Sequence, residues 1–266
     1  IVSPSNRTGT TGLRPTFGRV SRHGAMALSW SMDKVGPITR SVEDAAMVFN
    51  AIHGPDGKDQ TVVDLPFNYH DDPELSELKI GYVKSAFERD YYNKSRDSLT
   101  LAKLRELGAE LIPIALPDYP TGALSFLLTA EGAAAFDQLT RSNSDDQMVR
   151  QSQNAWPNLF RAARFIPAVE YIQANRARQV LIQKMDSLMQ QVDVYVSPTY
   201  GGNNLLLTNL TGHPSVVLPN GFTEDGQPTS ITFMGNLFDE GTLLGVAQKY
   251  QQATNFNNQH PAKFTP

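Results

Sequence analysis

The stretch Leu78-Lys79-Ile80-Gly81-Tyr82-Val83, the helix-spaced Leu101, Leu104 and Leu107, and then Glu110-Leu111-Ile112-Pro113-Ile114 together decide the fold class. The first run is short and mostly apolar, which suits a buried strand. The leucines predict a helix over roughly 93–107, closed by Gly108. The second run is another strand. Strand, helix and strand joined by short links make a βαβ unit, which implies parallel pairing and a right-handed crossover. Proline has no N–H to give a ladder, so Pro113 puts the second strand at a sheet edge or bulge.

Working outward, residues 121–140 are Ala- and Leu-rich and read as helix. Residues 146–163 carry a helical pattern with a break expected at Trp156-Pro157, because the residue before proline is pushed out of the α region. The longest helix is expected over 167–191, with Ile172, Leu181, Met185 and Leu188 on its stripe. A strand at 192–196 is stopped by Ser197-Pro198, and one at 215–218 by Pro219-Asn220-Gly221. After the Asp225-Gly226 turn, 229–234 reads as a strand suited to antiparallel pairing. A last amphipathic helix runs from about 239 to 253, capped by Asp239. Upstream, Ser41 is a good N-cap for a helix with Glu43 and Asp44 in its first turn and Val42, Ala45, Ala46, Phe49 and Ile52 on one face. Residues 54–76 read as a long surface connection, and the first forty as a packed, loop-rich segment with at most short elements. The sum is an α/β chain with a mixed β-sheet flanked by helices.

Composition bounds the function. The chain has 266 residues, 23 Lys+Arg against 27 Asp+Glu, a net charge of -4 and 40% hydrophobic residues. A chain of this length can bury a sizeable core without staples. Mild acidity with scattered basic residues argues against nucleic acid as the main partner. No apolar run approaches the roughly 18 residues that a membrane span needs. The absence of cysteine removes disulfides, thiolate nucleophiles and thiolate zinc sites.

A residue-by-residue search for chemistry names no catalyst. There is no G-x-S-x-G elbow, and His23, His53, His70, His213 and His260 show no paired spacing. No His/carboxylate cluster has metal-ligand spacing, and no cofactor is expected. Asp56-Gly57-Lys58-Asp59 lacks the alternating ligands of a calcium loop and reads as an Asp/Gly turn. Thr8-Gly9-Thr10-Thr11-Gly12 is open to two readings, an anion-holding nest or glycines that allow tight packing. Ser3 and Ser5 look exposed, with no partner to activate them.

Ordered blocks of sequence carry more. Ser3-Pro4, Gly12-Leu13-Arg14-Pro15-Thr16, Gly18-Arg19-Val20-Ser21 and Gly24 resemble the run that follows the nucleophile in the amidase signature family. The likeness continues through Ser31-Met32-Asp33, Gly36-Pro37-Ile38-Thr39-Arg40 and Ser41-Val42-Glu43-Asp44-Ala45-Ala46. It returns with Asp193-Val194-Tyr195-Val196-Ser197-Pro198-Thr199, Asn209-Leu210-Thr211-Gly212-His213-Pro214, Val217-Leu218-Pro219-Asn220-Gly221-Phe222 and Thr232-Phe233-Met234-Gly235. It is detailed over 1–55 and 193–262, and rests on element order alone between 60 and 190.

The resemblance implies a serine nucleophile that forms an acyl-enzyme, a second serine bridging it to a proton-shuttling lysine, and backbone N–H groups that hold the oxyanion. In the family pattern Ile follows the nucleophile. Ile1 takes that place, which puts the nucleophile directly before it and the other two groups further upstream. Val2 departs from the Arg common at its position. Residues 1–266 are thus expected to be the C-terminal portion of a single amidase-like α/β domain, inactive alone, from a hydrolase of carboxamide C–N bonds. The alternative is a non-catalytic binding or assembly module, or an amidotransferase subunit.

By the same resemblance, Thr129 and Glu131 line an acyl pocket. Tyr200, at a strand C-terminus, faces ligand, the usual place in α/β sheets. Asp33, Arg40 and Asp44 read as ion-pair and capping groups. The expected partner is a small-molecule amide, with homo-oligomer formation or association through the truncated face. Localisation stays open, cytoplasmic by default, since any export signal would lie upstream.

Overall fold

The computed structural model describes residues 1–259; His260 and the end of the resembling block lie outside the described residues. The strands are β1 (Thr11–Arg14), β2 (Ile38–Thr39), β3 (Ile80–Val83), β4 (Leu111–Ile114), β5 (Val194–Pro198), β6 (Ser215–Phe222) and β7 (Pro228–Gly235). They form one sheet in the order β2-β1-β6-β7-β5-β3-β4. The helices are α1 (Val2–Thr8), α2 (Val42–Ile52), α3 (Lys84–Glu88), α4 (Lys94–Glu106), α5 (Phe126–Ala135), α6 (Asp137–Arg141), α7 (Trp156–Ala163), α8 (Ala168–Met189), α9 (Asn204–Thr211) and α10 (Glu240–Thr254).

The βαβ unit is present as expected: β3 pairs in parallel with β4 and, on its other side, with β5. The remaining pairings are antiparallel, so the sheet is mixed. Pro113 sits in β4, the terminal strand, where its missing N–H costs no ladder bond. Ser41 caps α2 by accepting from the Asp44 N–H, and Asp239 caps α10 by accepting from the Thr242 N–H.

Alternation along the strands gives the sheet two unlike faces. Val194, Val196, Val216, Leu218, Ile231 and Phe233 form one apolar face, packed on Phe49 of α2, Leu104 of α4 and Leu243, Val246 and Tyr250 of α10. Burying each such side chain contributes about 1.5–3 kcal/mol. The other face follows from register. Arg14 lies opposite Ser215, Ser215 opposite Met234, and Met234 opposite Tyr195. One row along stand Gly12, Val217, Thr232 and Ser197. This face is buried but rich in polar groups; α1 lies over it, and α9 reaches it through Thr208 on Arg14 and Asn204 on Tyr195.

Local expectations need correction: β5 runs through Ser197-Pro198, and β6 passes Pro219-Asn220-Gly221 with a register shift instead of stopping there. Helix α1 is one of the short elements expected in the loop-rich opening, although Val2-Ser3-Pro4-Ser5-Asn6-Arg7-Thr8 has poor helix propensity and no periodic stripe to mark it. It is held instead by burial of Val2 and Ser5. Trp156-Pro157 does not break a helix; it opens α7, where Pro157 at the second helical position falls among the first-turn N–H groups that have no intrahelical partner, so its missing N–H forfeits no hydrogen bond. The 54–76 connection is not merely a surface strap. Leu75 is buried, Phe67 and Tyr69 pack on the core, and a Cβ at Gly241 or Gly245 would collide with the Asn68 or His70 carbonyl.

Candidate active site

The polar face is organised around α1. A Cβ at Gly12 would collide with Ser5 Oγ and come within 2.9 Å of Ile1 Cγ2, so glycine there lets the helix lie directly on β1. From α1, Asn6 Oδ1 accepts from Ser230 Oγ at 2.6 Å. Ser230 Oγ and Thr199 Oγ1 are 2.8 Å apart, and Thr232 Oγ1 donates to Thr199 Oγ1 at 2.9 Å. The result is a connected run of hydroxyls under the helix. Ser5 is fully buried rather than exposed, while Ser3 is exposed. The Thr8–Gly12 run resolves as a helix stop: Gly9 adopts φ 66 and its N–H donates to Ser5 O, so the glycine serves closure rather than an anion.

Glu131, on α5, is a buried carboxylate that accepts four hydrogen bonds. They come from Ser29 Oγ (2.6 Å), Ser31 Oγ (2.7 Å), the Ser31 N–H (3.1 Å) and Tyr171 Oη on α8 (2.9 Å). Arg178 completes the clamp, donating to Ser31 Oγ at 2.7 Å and Ser31 O at 3.0 Å. Burial pushes the Glu131 pKa up, but the hydrogen bonds from Ser29, Ser31 and Tyr171 outweigh it and hold the pKa below its ordinary value. An anion so saturated is a scaffold, not a proton donor. Asp33 tightens the same loop by accepting from the N–H groups of Leu28 and Ser29, both at 2.8 Å.

Glu131 also walls a cavity of about 360 Å³ with Trp30, Ala130, Ala134, Ile166 and Tyr171. Thr129 is half-buried, and its hydroxyl donates to Phe126 O at 2.9 Å within the same helix. Tyr200 is 53% exposed and lies elsewhere, at a cavity of about 220 Å³ beside α1 that Asn6, Asp97, Thr199 and Ser230 also line. The structure therefore puts Glu131 and Tyr200 in two separate cavities. Asp56 and Asp59 form the expected turn, with Asp56 Oδ1 accepting from the N–H groups of Lys58 and Asp59 and Asp59 paired with Arg22 at 2.9 Å.

Sequence reasoning missed Asp97, which is 2% exposed and accepts from Asn220 Nδ2 at 2.7 Å. Burial pushes its pKa up to about 6, against the opposing hydrogen bond from Asn220. A carboxyl raised in the folded state contributes stability that is complete below about pH 4 and lost as pH rises through 6. Asp97→Asn should remove that dependence. Urea midpoints at pH 4 and pH 7 should show the variant gaining about 2–3 kcal/mol on the wild type across the interval. Parallel behaviour of the two proteins would contradict the shift.

The amidase family profile matches residues 1–207. The chain belongs to the amidase family. The A subunit of glutamyl-tRNA(Gln) amidotransferase from Prochlorococcus marinus (strain MIT 9211) is 31% identical over 302 aligned residues, covering 96% of this chain and 62% of that protein. Its counterpart in Picosynechococcus sp. is 30% identical, covering 98% and 64%. Among solved structures, an amidase family protein from Bacillus anthracis superimposes with a TM-score of 0.80 at 25% identity, covering 98% of this chain and 56% of that one. A peptide amidase from Stenotrophomonas maltophilia gives 0.79 at 27% identity, covering 96% and 60%. The chain thus spans less than two thirds of the length of these amidase relatives.

Proposed function

We propose that residues 1–266 are the C-terminal portion of a single amidase domain, and that the whole protein cleaves a carboxamide C–N bond through a serine acyl-enzyme. The serine directly before Ile1 attacks the carbonyl carbon, and its proton passes through a bridging serine to an upstream lysine. The tetrahedral adduct collapses, the amine leaves with that proton, and water releases the acid from the ester. The observation that carries the reading is α1. It starts at Val2, is seated on β1 through Gly12, and brings Ile1 to the buried hydroxyl-rich face of the sheet.

In this reading Glu131 shapes the wall of one cavity through its clamp on Ser29 and Ser31, and Tyr200 stands at the mouth of the other. Thr129 contributes backbone position on α5, since its hydroxyl is already engaged. The test compares amide hydrolysis by residues 1–266 with hydrolysis by a protein extended upstream; only the second should turn over.

The amidotransferase alternative keeps the same acyl chemistry and changes the acceptor. Identities of 30–31% to amidotransferase A subunits favour it. Release of ammonia that rises when a partner protein co-purifies would select it. Turnover of simple amides to free acid, unchanged by any partner, would select the hydrolase.

The chain alone should also self-associate. The outer strand β2 is two residues long and leaves Ile38 46% exposed, and Met26, Trp30 and Val35 are exposed together around one cavity. Uncovered edges and apolar patches seek partners. Light scattering should find oligomers of residues 1–266, and a monodisperse monomer would contradict a severed domain.

A further inference from the structure

Four basic side chains converge on the second half of α9 and the turn after it. Arg14 Nη2 donates to Thr208 Oγ1 at 2.6 Å, and Lys34 Nζ to Asn209 Oδ1 at 3.2 Å. Arg178 Nε donates to Leu210 O, and His213 Nδ1 lies 2.9 Å from Thr211 Oγ1. A helix C-terminus favours such company. Arg178 also reaches Glu131 through Ser31, and Lys34 has Asp33 as its chain neighbour.

Arg14 differs from the others. It is 6% exposed, no carboxylate among the described residues pairs with it, and its Nε finds no hydrogen-bond partner among them. Directly across the ladder, Ser215 Oγ is buried in the same condition. Leaving a charged donor buried without an acceptor is costly. An unpartnered guanidinium Nε–H and an unpartnered hydroxyl, on residues opposite each other on one sheet face, make a prepared place for an oxygen atom.

Its position says whose oxygen. Gly12 and Arg14 are two residues apart on β1 and so share a face. Ile1 rests on Gly12. Ile1 therefore stands over the sheet face that carries the Arg14 side chain. Any residue joined to the Ile1 nitrogen brings a carbonyl oxygen to the same spot.

We propose that Arg14, with Ser215 beside it, binds a carbonyl or carboxylate oxygen of the chain directly preceding Ile1, and is a positioning residue for the acyl-forming serine. This rests on the serine reading above. The guanidinium fixes the first turn of α1 and the residues before it against β1. The serine hydroxyl then meets its bridging partner in one geometry. The occupant is the chain rather than substrate, because the guanidinium lies under α1 and between β1 and α9, not in either cavity described above.

The test uses the longer protein with Arg14→Met and Arg14→Lys, with Lys84→Ala, an exposed lysine on α3, as control. Each is assayed for kcat and KM on primary amides with and without a carboxylate in the acyl chain. Each is also assayed for labelling by a serine-directed fluorophosphonate, and for hydrogen exchange in the residues before Ile1. Arg14→Met should lower kcat and the labelling rate by about 10–100-fold at nearly constant KM, the loss expected for one charged hydrogen bond. Arg14→Lys should recover most of it. Exchange should quicken before Ile1 and stay unchanged in β3 and β4. A rise in KM confined to carboxylate-bearing amides would give the site to substrate and overturn the proposal. So would unchanged exchange before Ile1 in Arg14→Met. A wild type that neither labels nor turns over would defeat the serine reading instead, and exchange alone would then decide Arg14.

Discussion

Glu240→Ala should lower the unfolding free energy by about 3–5 kcal/mol, read from urea denaturation. Glu240 Oε2 and Arg19 Nε are 3.1 Å apart, and neither side chain has any exposure. The carboxylate also accepts from the Thr16 N–H at 2.8 Å. Arg19 spends its other donors on Leu65 O at 2.7 Å and Pro66 O at 3.2 Å, which ties the 54–76 connection to the core. Its guanidinium lies 5.4 Å from the Phe49 ring centroid. Removing the carboxylate therefore strands a buried cation and frees a backbone donor at once. Glu240→Gln keeps the volume and an acceptor, and should cost less. Replacing both partners, with Arg19→Met and Glu240→Leu, should cost less than the sum of the singles, since no charge is then left unpaired. A loss below about 1 kcal/mol for Glu240→Ala would mean that water reaches the pair.

On activity, the largest effect should come from the residue before Ile1. In a protein extended upstream, changing that serine to alanine should reduce amide hydrolysis by roughly 10⁴–10⁶-fold, as losing a nucleophile does elsewhere. Residues 1–266 alone should sit at background, because the groups that attack, bridge and shuttle all lie upstream in this account. The polar run from Asn6 through Ser230, Thr199 and Thr232 lies wholly within this chain, but it contains no attacking group. Turnover by residues 1–266 would require a nucleophile within the chain. Ser5 is a poor one, being fully buried with no base beside its hydroxyl.

Much of the fold was legible because local chemistry fixed it. The βαβ unit, the caps at Ser41 and Asp239 and the edge position of Pro113 each follow from a few neighbouring residues. What escaped was set by distant partners. Helix α1 has no pattern of its own and depends on contacts such as Asn6 with Ser230, 224 residues away. The Glu131 clamp draws donors from Ser29, 102 residues off, and from Tyr171, 40 residues off, so only Glu131 itself stands out in the sequence. Ser29 and Ser31 flank Trp30 at a two-residue spacing, the one local hint that both could face a common acceptor. Nothing in the sequence marks Asp97, and Arg14 stands out only as part of the Gly12-Leu13-Arg14-Pro15-Thr16 block. Their burial comes from Asn220 in one case and from Thr208, Ile1 and the sheet face in the other.

In the proposed reading the acyl-forming serine immediately precedes Ile1. Its most direct test is peptide mapping by mass spectrometry of the upstream-extended protein, quenched after reaction with a serine-directed acylating amide. A single acyl adduct is expected, on the serine bonded to Ile1. An adduct on any residue of 1–266, or steady amide turnover with that serine unmodified and replaceable, would contradict it.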